Sequence, residues 1–155
     1  VLAGYQRRFY RNAAYPDYAT PIVEAQASWA PSRLTRLQLD VQHGIEDSAF
    51  ANVAGFTYTN LQLGLSHQYR RDVILSGHFI FQKGEYQNTP THLVGSILTQ
   101  AGGSQTNFGG GVSARWRVNR HLRLNLDYDV SSQNVLGTAG KVTVNTVMIR
   151  VDVAL

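Results

Sequence analysis

Cysteine is absent from the 155-residue chain, which removes disulfide frameworks and thiolate metal sites from consideration. Lysine is almost absent, standing only at Lys83 and Lys141, and charged residues together make up 15% of the sequence. A soluble surface ordinarily carries about 25–35% charged side chains, so uncharged polar groups do much of the solvating here. No stretch approaches the roughly 18 consecutive apolar residues of a membrane-spanning helix, and the mean hydropathy is −0.21. A helical membrane protein is thereby excluded. A transmembrane β-barrel is not, because only alternate residues of its strands need be apolar. The net charge of +4 comes from basic residues scattered singly or in pairs, and without a basic patch no nucleic-acid partner is expected. Val1 opens the sequence with neither an initiator Met nor a basic and apolar leader, so localisation has to be read from architecture.

What is present is period-two alternation, eight times over. The first two strands are expected at Val1–Tyr10 and Pro21–Trp29, the second setting Val23, Ala25, Ala27 and Trp29 against Glu24, Gln26 and Ser28. The third sets Leu37, Leu39, Val41 and Ile45 against Arg36, Gln38, Asp40 and Gln42; the fourth sets Leu61, Leu63, Leu65 and Tyr69 against Asn60, Gln62, Ser66 and Gln68. Strand five is expected at Val73–Gln82, blurred by Ile74 and Ile80, and strand six at Asn107–Arg117. In strand seven Leu122, Leu124, Leu126, Tyr128 and Val130 turn away from Arg123, Asn125, Asp127, Asp129 and Ser131. Strand eight runs Val147, Ile149, Val151, Val153 and Leu155 opposite Arg150 and Asp152.

Short and long links alternate. Short turns are expected at Ala30–Arg33, Arg70–Asp72 and Asn119–His121, and long loops near 11–20, 46–55, 83–106 and 131–141. An outer-membrane barrel predicts this asymmetry, with tight periplasmic turns and longer outer loops. Trp29, Tyr69 and Trp116 each precede a short turn on the apolar parity, where an interfacial aromatic girdle would stand. Alternation alone also fits a soluble lipocalin-like barrel with its apolar row inward. The polar row favours the membrane barrel over that alternative, since it reads Gln, Asn, Ser, Gly and opposed Arg and Asp rather than Lys and Glu. Such groups suit a lumen in which charges must find partners. The expected lumen-lining residues are Gln38, Asp40, Gln62, Arg115, Arg117, Arg123, Asp127, Asp129, Arg150 and Asp152.

Motifs for chemistry are sparse. Gly109-Gly110-Gly111 lies in a strand pattern and opens no helix, so close packing or curvature is its reading rather than phosphate binding. His43, His67, His78, His92 and His121 lack ligand spacing, and neither a metal nor a cofactor is expected. Ser76 and His78 share one side of strand five, as a nucleophile and base would, but no orienting carboxylate is evident and no catalytic residue is assigned. Tyr10, Tyr15 and Tyr18 could stack on sugar or anchor a loop at the outer interface.

The segment Ala3-Gly4-Tyr5-Gln6-Arg7-Arg8-Phe9-Tyr10, with Tyr15-Pro16-Asp17-Tyr18 and Thr20-Pro21-Ile22-Val23, resembles the Putative beta-barrel porin 2 family. So do Ile45-Glu46-Asp47-Ser48-Ala49-Phe50 and the strand Asn119 to Tyr128. The resemblance covers most of the chain except 88–106 and implies the C-terminal part of a longer Gram-negative outer-membrane barrel, encoded with exopolysaccharide machinery. The resulting expectation is an all-β, antiparallel up-and-down transmembrane β-barrel of about eight strands, spanning 1–155 as one domain or as part of a larger barrel. Its function would be non-enzymatic and porin-like, associated with surface polysaccharide export. The alternative is a small closed barrel acting as a structural or ligand-binding module through its outer loops. Expected partners are outer-membrane lipid, polysaccharide or export machinery, and an oligomer.

Overall fold

The computed structural model describes residues 1–9, 17–46, 56–86, 93–94, 97–98, 103–134 and 140–154. Among them there are ten strands and no helix: β1 (Leu2–Arg8), β2 (Tyr18–Ser32), β3 (Thr35–Glu46), β4 (Phe56–Gln68), β5 (Val73–Tyr86), β6 (Leu93–Val94), β7 (Ile97–Leu98), β8 (Gly103–Arg117), β9 (Leu122–Asn134) and β10 (Lys141–Val153). Eight form one antiparallel sheet in the order β1-β2-β3-β4-β5-β8-β9-β10, and β6 pairs with β7 as a separate ribbon. Each strand of the large sheet lies beside its predecessor in it, which is up-and-down connectivity. β1 and β10 are not paired with each other, so the sheet is open.

The strands are longer than alternation alone predicts, mainly at the long-loop end. β5 runs on to Tyr86 and β8 begins at Gly103, because Lys83, Gly84, Glu85 and Tyr86 pair with Thr106, Gln105, Ser104 and Gly103. Residues 83–86 and 103–106, the two ends of the expected loop, are therefore ladder. Gly and Thr there read as loop by composition, yet each supplies the backbone groups that pairing requires. β2 likewise carries Ala30 and Pro31 past the expected turn, which shifts to Arg33-Leu34. A register irregularity between Trp29 and Ser32 accommodates Pro31, which has no N–H to give a regular ladder. Tyr69 falls just beyond β4, in the turn to β5. Tyr10, Tyr15 and Leu155 lie outside the described residues.

Register carries one parity across the sheet. Leu39, Leu63, Phe79 and Gly110 are level on β3, β4, β5 and β8, and Val112, Tyr128 and Val147 are level on β8, β9 and β10. The apolar rows thus make one continuous face. It is not covered: Val112 is 63%, Leu126 50% and Ile149 72% exposed. Among the described residues, the buried side chains are Ile45, Thr20 and Ser132, and no large side chain is fully buried. The accessible surface of 11292 Å² compares with roughly 7,800 Å² expected of a compact monomer of this mass. Among the described residues the apolar rows converge on no dry centre.

Polar side chains that fall on the apolar face pair across strands. His43 Nδ1 lies 2.9 Å from Thr59 Oγ1, and His67 Nδ1 lies 2.8 Å from Thr35 Oγ1. Tyr128 donates its hydroxyl to Asn145 Oδ1 at 3.1 Å. Satisfying such groups within the wall is what a hydrocarbon neighbour demands.

Leu126→Arg in chain folded into lipid vesicles is expected to cost about 2–4 kcal/mol, the value for a basic residue facing mid-bilayer lipid. Thr146→Arg, on the opposite face of β10, is expected to cost under about 1 kcal/mol as an ordinary surface change. Urea unfolding from vesicles measures both, and equal costs would overturn the two-faced assignment.

Candidate functional site

The polar face divides into two regions. At the short-turn end, β8, β9 and β10 bring the charged residues together: Arg117, Arg123 and Asp152 are level, as are Arg115, Asn125 and Arg150 one step further along. Asp127 and Asp129 follow on β9. Direct Arg–carboxylate pairing is the sequence expectation, but Asn125 stands between the charges. Arg115 Nε donates to Asn125 Oδ1 at 3.1 Å, and Asn125 Nδ2 donates to Asp152 Oδ2 at 2.9 Å. One amide, with a donor end and an acceptor end, links a cation and an anion two strands apart. Gln38, Asp40 and Gln62 form a separate group on β3 and β4, where Asp40 accepts from Gln26 Nε2 at 2.6 Å and is level with Gln62.

Between these groups His78 and Asp129 meet across β8, with Nε2 and Oδ1 3.3 Å apart. His78, Gly111 and Asp129 are level on β5, β8 and β9. The contact exists because the middle strand has no side chain there. A Cβ on Gly111 would collide with Asp129 Oδ1 and stand 2.7 Å from both His78 Cε1 and the Tyr128 carbonyl. The carboxylate missing beside His78 in the sequence is therefore supplied by β9. Ser76, level with Ser113, shares the face, but among the described residues no hydrogen bond joins it to His78.

The second region lies at the long-loop end and was not legible as a unit. Gln42, Asn60, Gln82, Asn107 and Gln133 are level on β3, β4, β5, β8 and β9, so five neighbouring strands each present an amide at one height. One step outward Tyr58 sits between Gly44 and Gly84. The Tyr58 ring lies over the first, 3.3 Å from where a Gly44 Cβ would be. One more step outward Phe56 and Tyr86 stack, with centroids 4.9 Å apart and planes at 26°. A cavity of about 300 Å³ lies against these residues. Phe56-x-Tyr58-x-Asn60 and Gln82-x-Gly84-x-Tyr86 continue the period-two pattern, which is the signal that finds this end.

The three turn aromatics stand together at the short-turn end. Trp29 and Trp116 share the apolar parity, and Tyr69 follows it at the end of β4. All are exposed, and Trp116 Nε1 donates to Asp72 Oδ2 at 3.0 Å in the adjoining turn.

An antiparallel up-and-down sheet with an uncovered apolar face and a polar face is the wall of a membrane β-barrel. Residues 1–155 match the family model described as Putative beta-barrel porin 2, and the chain belongs to that family. Membership points to a non-enzymatic barrel. No curated protein and no solved structure matches the chain.

Gly111→Ala is expected to destabilise the fold by about 1–3 kcal/mol through overpacking. Adding Asp129→Ala should recover part of this loss but not all, because the Tyr128 carbonyl stays in place. Urea unfolding of the single and double variants checks both statements.

Proposed function

We propose that the chain forms wall of an outer-membrane pore whose polar face lines a water-filled passage. The observation that carries this reading is the open sheet: a polar face spread over eight strands whose edges, β1 and β10, have no further strand beside them among the described residues. Unpaired ladder edges are not stable in hydrocarbon, so further strands, from a longer polypeptide or from other copies in an oligomer, complete the barrel. A closed barrel of eight strands would have its interior filled by side chains, whereas a larger one leaves a channel. The passage is then lined by Gln38, Asp40, Gln62, Arg115, Arg117, Arg123, Asp127, Asp129, Arg150 and Asp152. Lipid surrounds the apolar face, and Trp29, Tyr69 and Trp116 mark its periplasmic interface, where amphipathic rings are favoured.

For cargo we favour a surface polysaccharide delivered by export machinery, in keeping with the amide-rich, sparsely charged half of the polar face. A second reading, a ligand-binding or structural module acting through its outer loops, draws on the β6–β7 ribbon in the link between β5 and β8.

In planar bilayers the folded protein is expected to open channels. Changing Arg115, Arg117, Arg123 and Arg150 together to Gln should shift permeability toward cations, which reversal-potential measurements under a salt gradient report. A correctly folded protein that never conducts would overturn the pore and favour the module; removal of 87–102 would then abolish its binding without loss of heat-modifiable migration.

A further inference from the structure

We infer that the long-loop end of the polar face is a binding site for an uncharged glycan segment. The inference rests on the pore reading only in so far as the polar face is reached from water. Its basis is the juxtaposition of an amide row with an aromatic platform around one cavity. Gln42, Asn60, Gln82 and Asn107 line the cavity on one side, and Phe56, Tyr58 and Tyr86 line it on the other. At about 300 Å³ it is at the lower bound of small-ligand sites.

The amides do not satisfy one another. The Asn60 and Asn107 side-chain carbonyl oxygens are buried without a hydrogen-bond partner, and leaving a buried acceptor unmade costs about 1–3 kcal/mol. Rotation about the last side-chain bond exchanges the carbonyl and amino ends of either amide. A ligand with hydroxyl groups can then receive from one end and donate to the other. The aromatic side supplies the complement. Phe56 and Tyr86, stacked at 4.9 Å, and Tyr58, laid over Gly44, give apolar ring faces beside those polar groups. A sugar ring has this dual character, with C–H groups on its face and hydroxyls at its rim.

Charge excludes the obvious alternative. Arg115, Arg117, Arg123 and Arg150, which would hold a phosphate or a uronate, stand at the opposite end of the sheet, on β8, β9 and β10, and Arg7 and Arg8 at the long-loop end lie on β1, two strands from β3. Lys83 and Glu85 alternate with Gln82, Gly84 and Tyr86 along β5 and pair with each other on the apolar parity, and Glu46 adds a carboxylate to the lining. An acidic glycan would meet the Glu46 carboxylate; a neutral one meets amides and rings.

The test is calorimetric titration of the folded, detergent-solubilised protein with a neutral probe, cellohexaose, and an acidic one, hexagalacturonate. Cellohexaose is expected to bind and hexagalacturonate to bind at least about tenfold more weakly. Tyr58→Ala and Asn107→Leu should each weaken cellohexaose roughly tenfold, the loss of one stacking or hydrogen-bonding contact with its desolvation. Tyr58→Phe should keep most of the affinity, and Tyr69→Ala, at the other end of the wall, all of it. Heat-modifiable migration verifies folding; if Tyr58→Ala does not fold, Asn107→Leu and Tyr58→Phe decide. No binding of cellohexaose, preference for hexagalacturonate, or affinity unmoved by the folded cavity variants would each overturn the site. Channels that conduct without binding cellohexaose defeat this inference alone, whereas binding by a non-conducting protein defeats the pore alone.

Discussion

A backbone amide facing hydrocarbon has no water to bond, so in a membrane wall each must find its partner on the next strand. β2, β3, β4, β5, β8 and β9 are paired on both sides, and the long ladder between β5 and β8 extends as far as both strands can supply partners. The same requirement reaches the side chains. Thr35 with His67, His43 with Thr59 and Ser132 with Thr143 are polar pairs on the face that carries the Leu, Val and Phe rows. Pairing within the wall removes the penalty each hydroxyl or ring nitrogen would meet alone in lipid. Once the ladder is fixed, alternation needs no core to orient it, because in a membrane β-barrel lipid takes the place of a packed interior.

Freed from forming a core, the polar face can vary along its length. Its short-turn end is charged, with Arg115, Arg117, Arg123 and Arg150 among Asp127, Asp129 and Asp152, and its long-loop end is amide and aromatic. Cations and anions at close quarters set up strong local fields that discriminate by charge. Amides discriminate by hydrogen bonding instead. On the proposed pore reading, the two ends would offer a passing solute different chemistries in sequence. Asn125 belongs to both modes, since it joins Arg115 to Asp152 by the amide's own donor and acceptor.

Much of this was legible in the residues, and what was not has a definite cause. Alternation assigned Leu126 and Asn125 to opposite faces without coordinates, because side-chain parity depends only on position in the strand. Short turns set register within the hairpins β2–β3, β4–β5 and β8–β9. Register across 47–55 or 87–102 depends on pairing that no local pattern encodes, so the levelling of Gln42 with Asn60 and of Gln82 with Asn107 stayed hidden. The meeting of His78 with Asp129 was hidden for the same reason, being a property of three strands. Tyr86 was misread for another: Gly84 and Gly103 signal loop by composition, although in a wall glycine often marks where another group approaches closely.

Those glycines bear on whether the passage is open. A side chain standing upright from a strand projects toward the barrel axis and narrows it; one that lies along the wall does not. Lying flat requires an empty place beside it on the next strand, which Gly44 gives to Tyr58 and Gly111 gives to the bridge between His78 and Asp129. At both places the neighbour on the polar face is a residue with no side chain, and the bulkier groups fill that space rather than the axis. A polar face whose large groups turn to one another across glycine is thus relieved inward, and it matches a wide barrel better than one plugged by its own side chains.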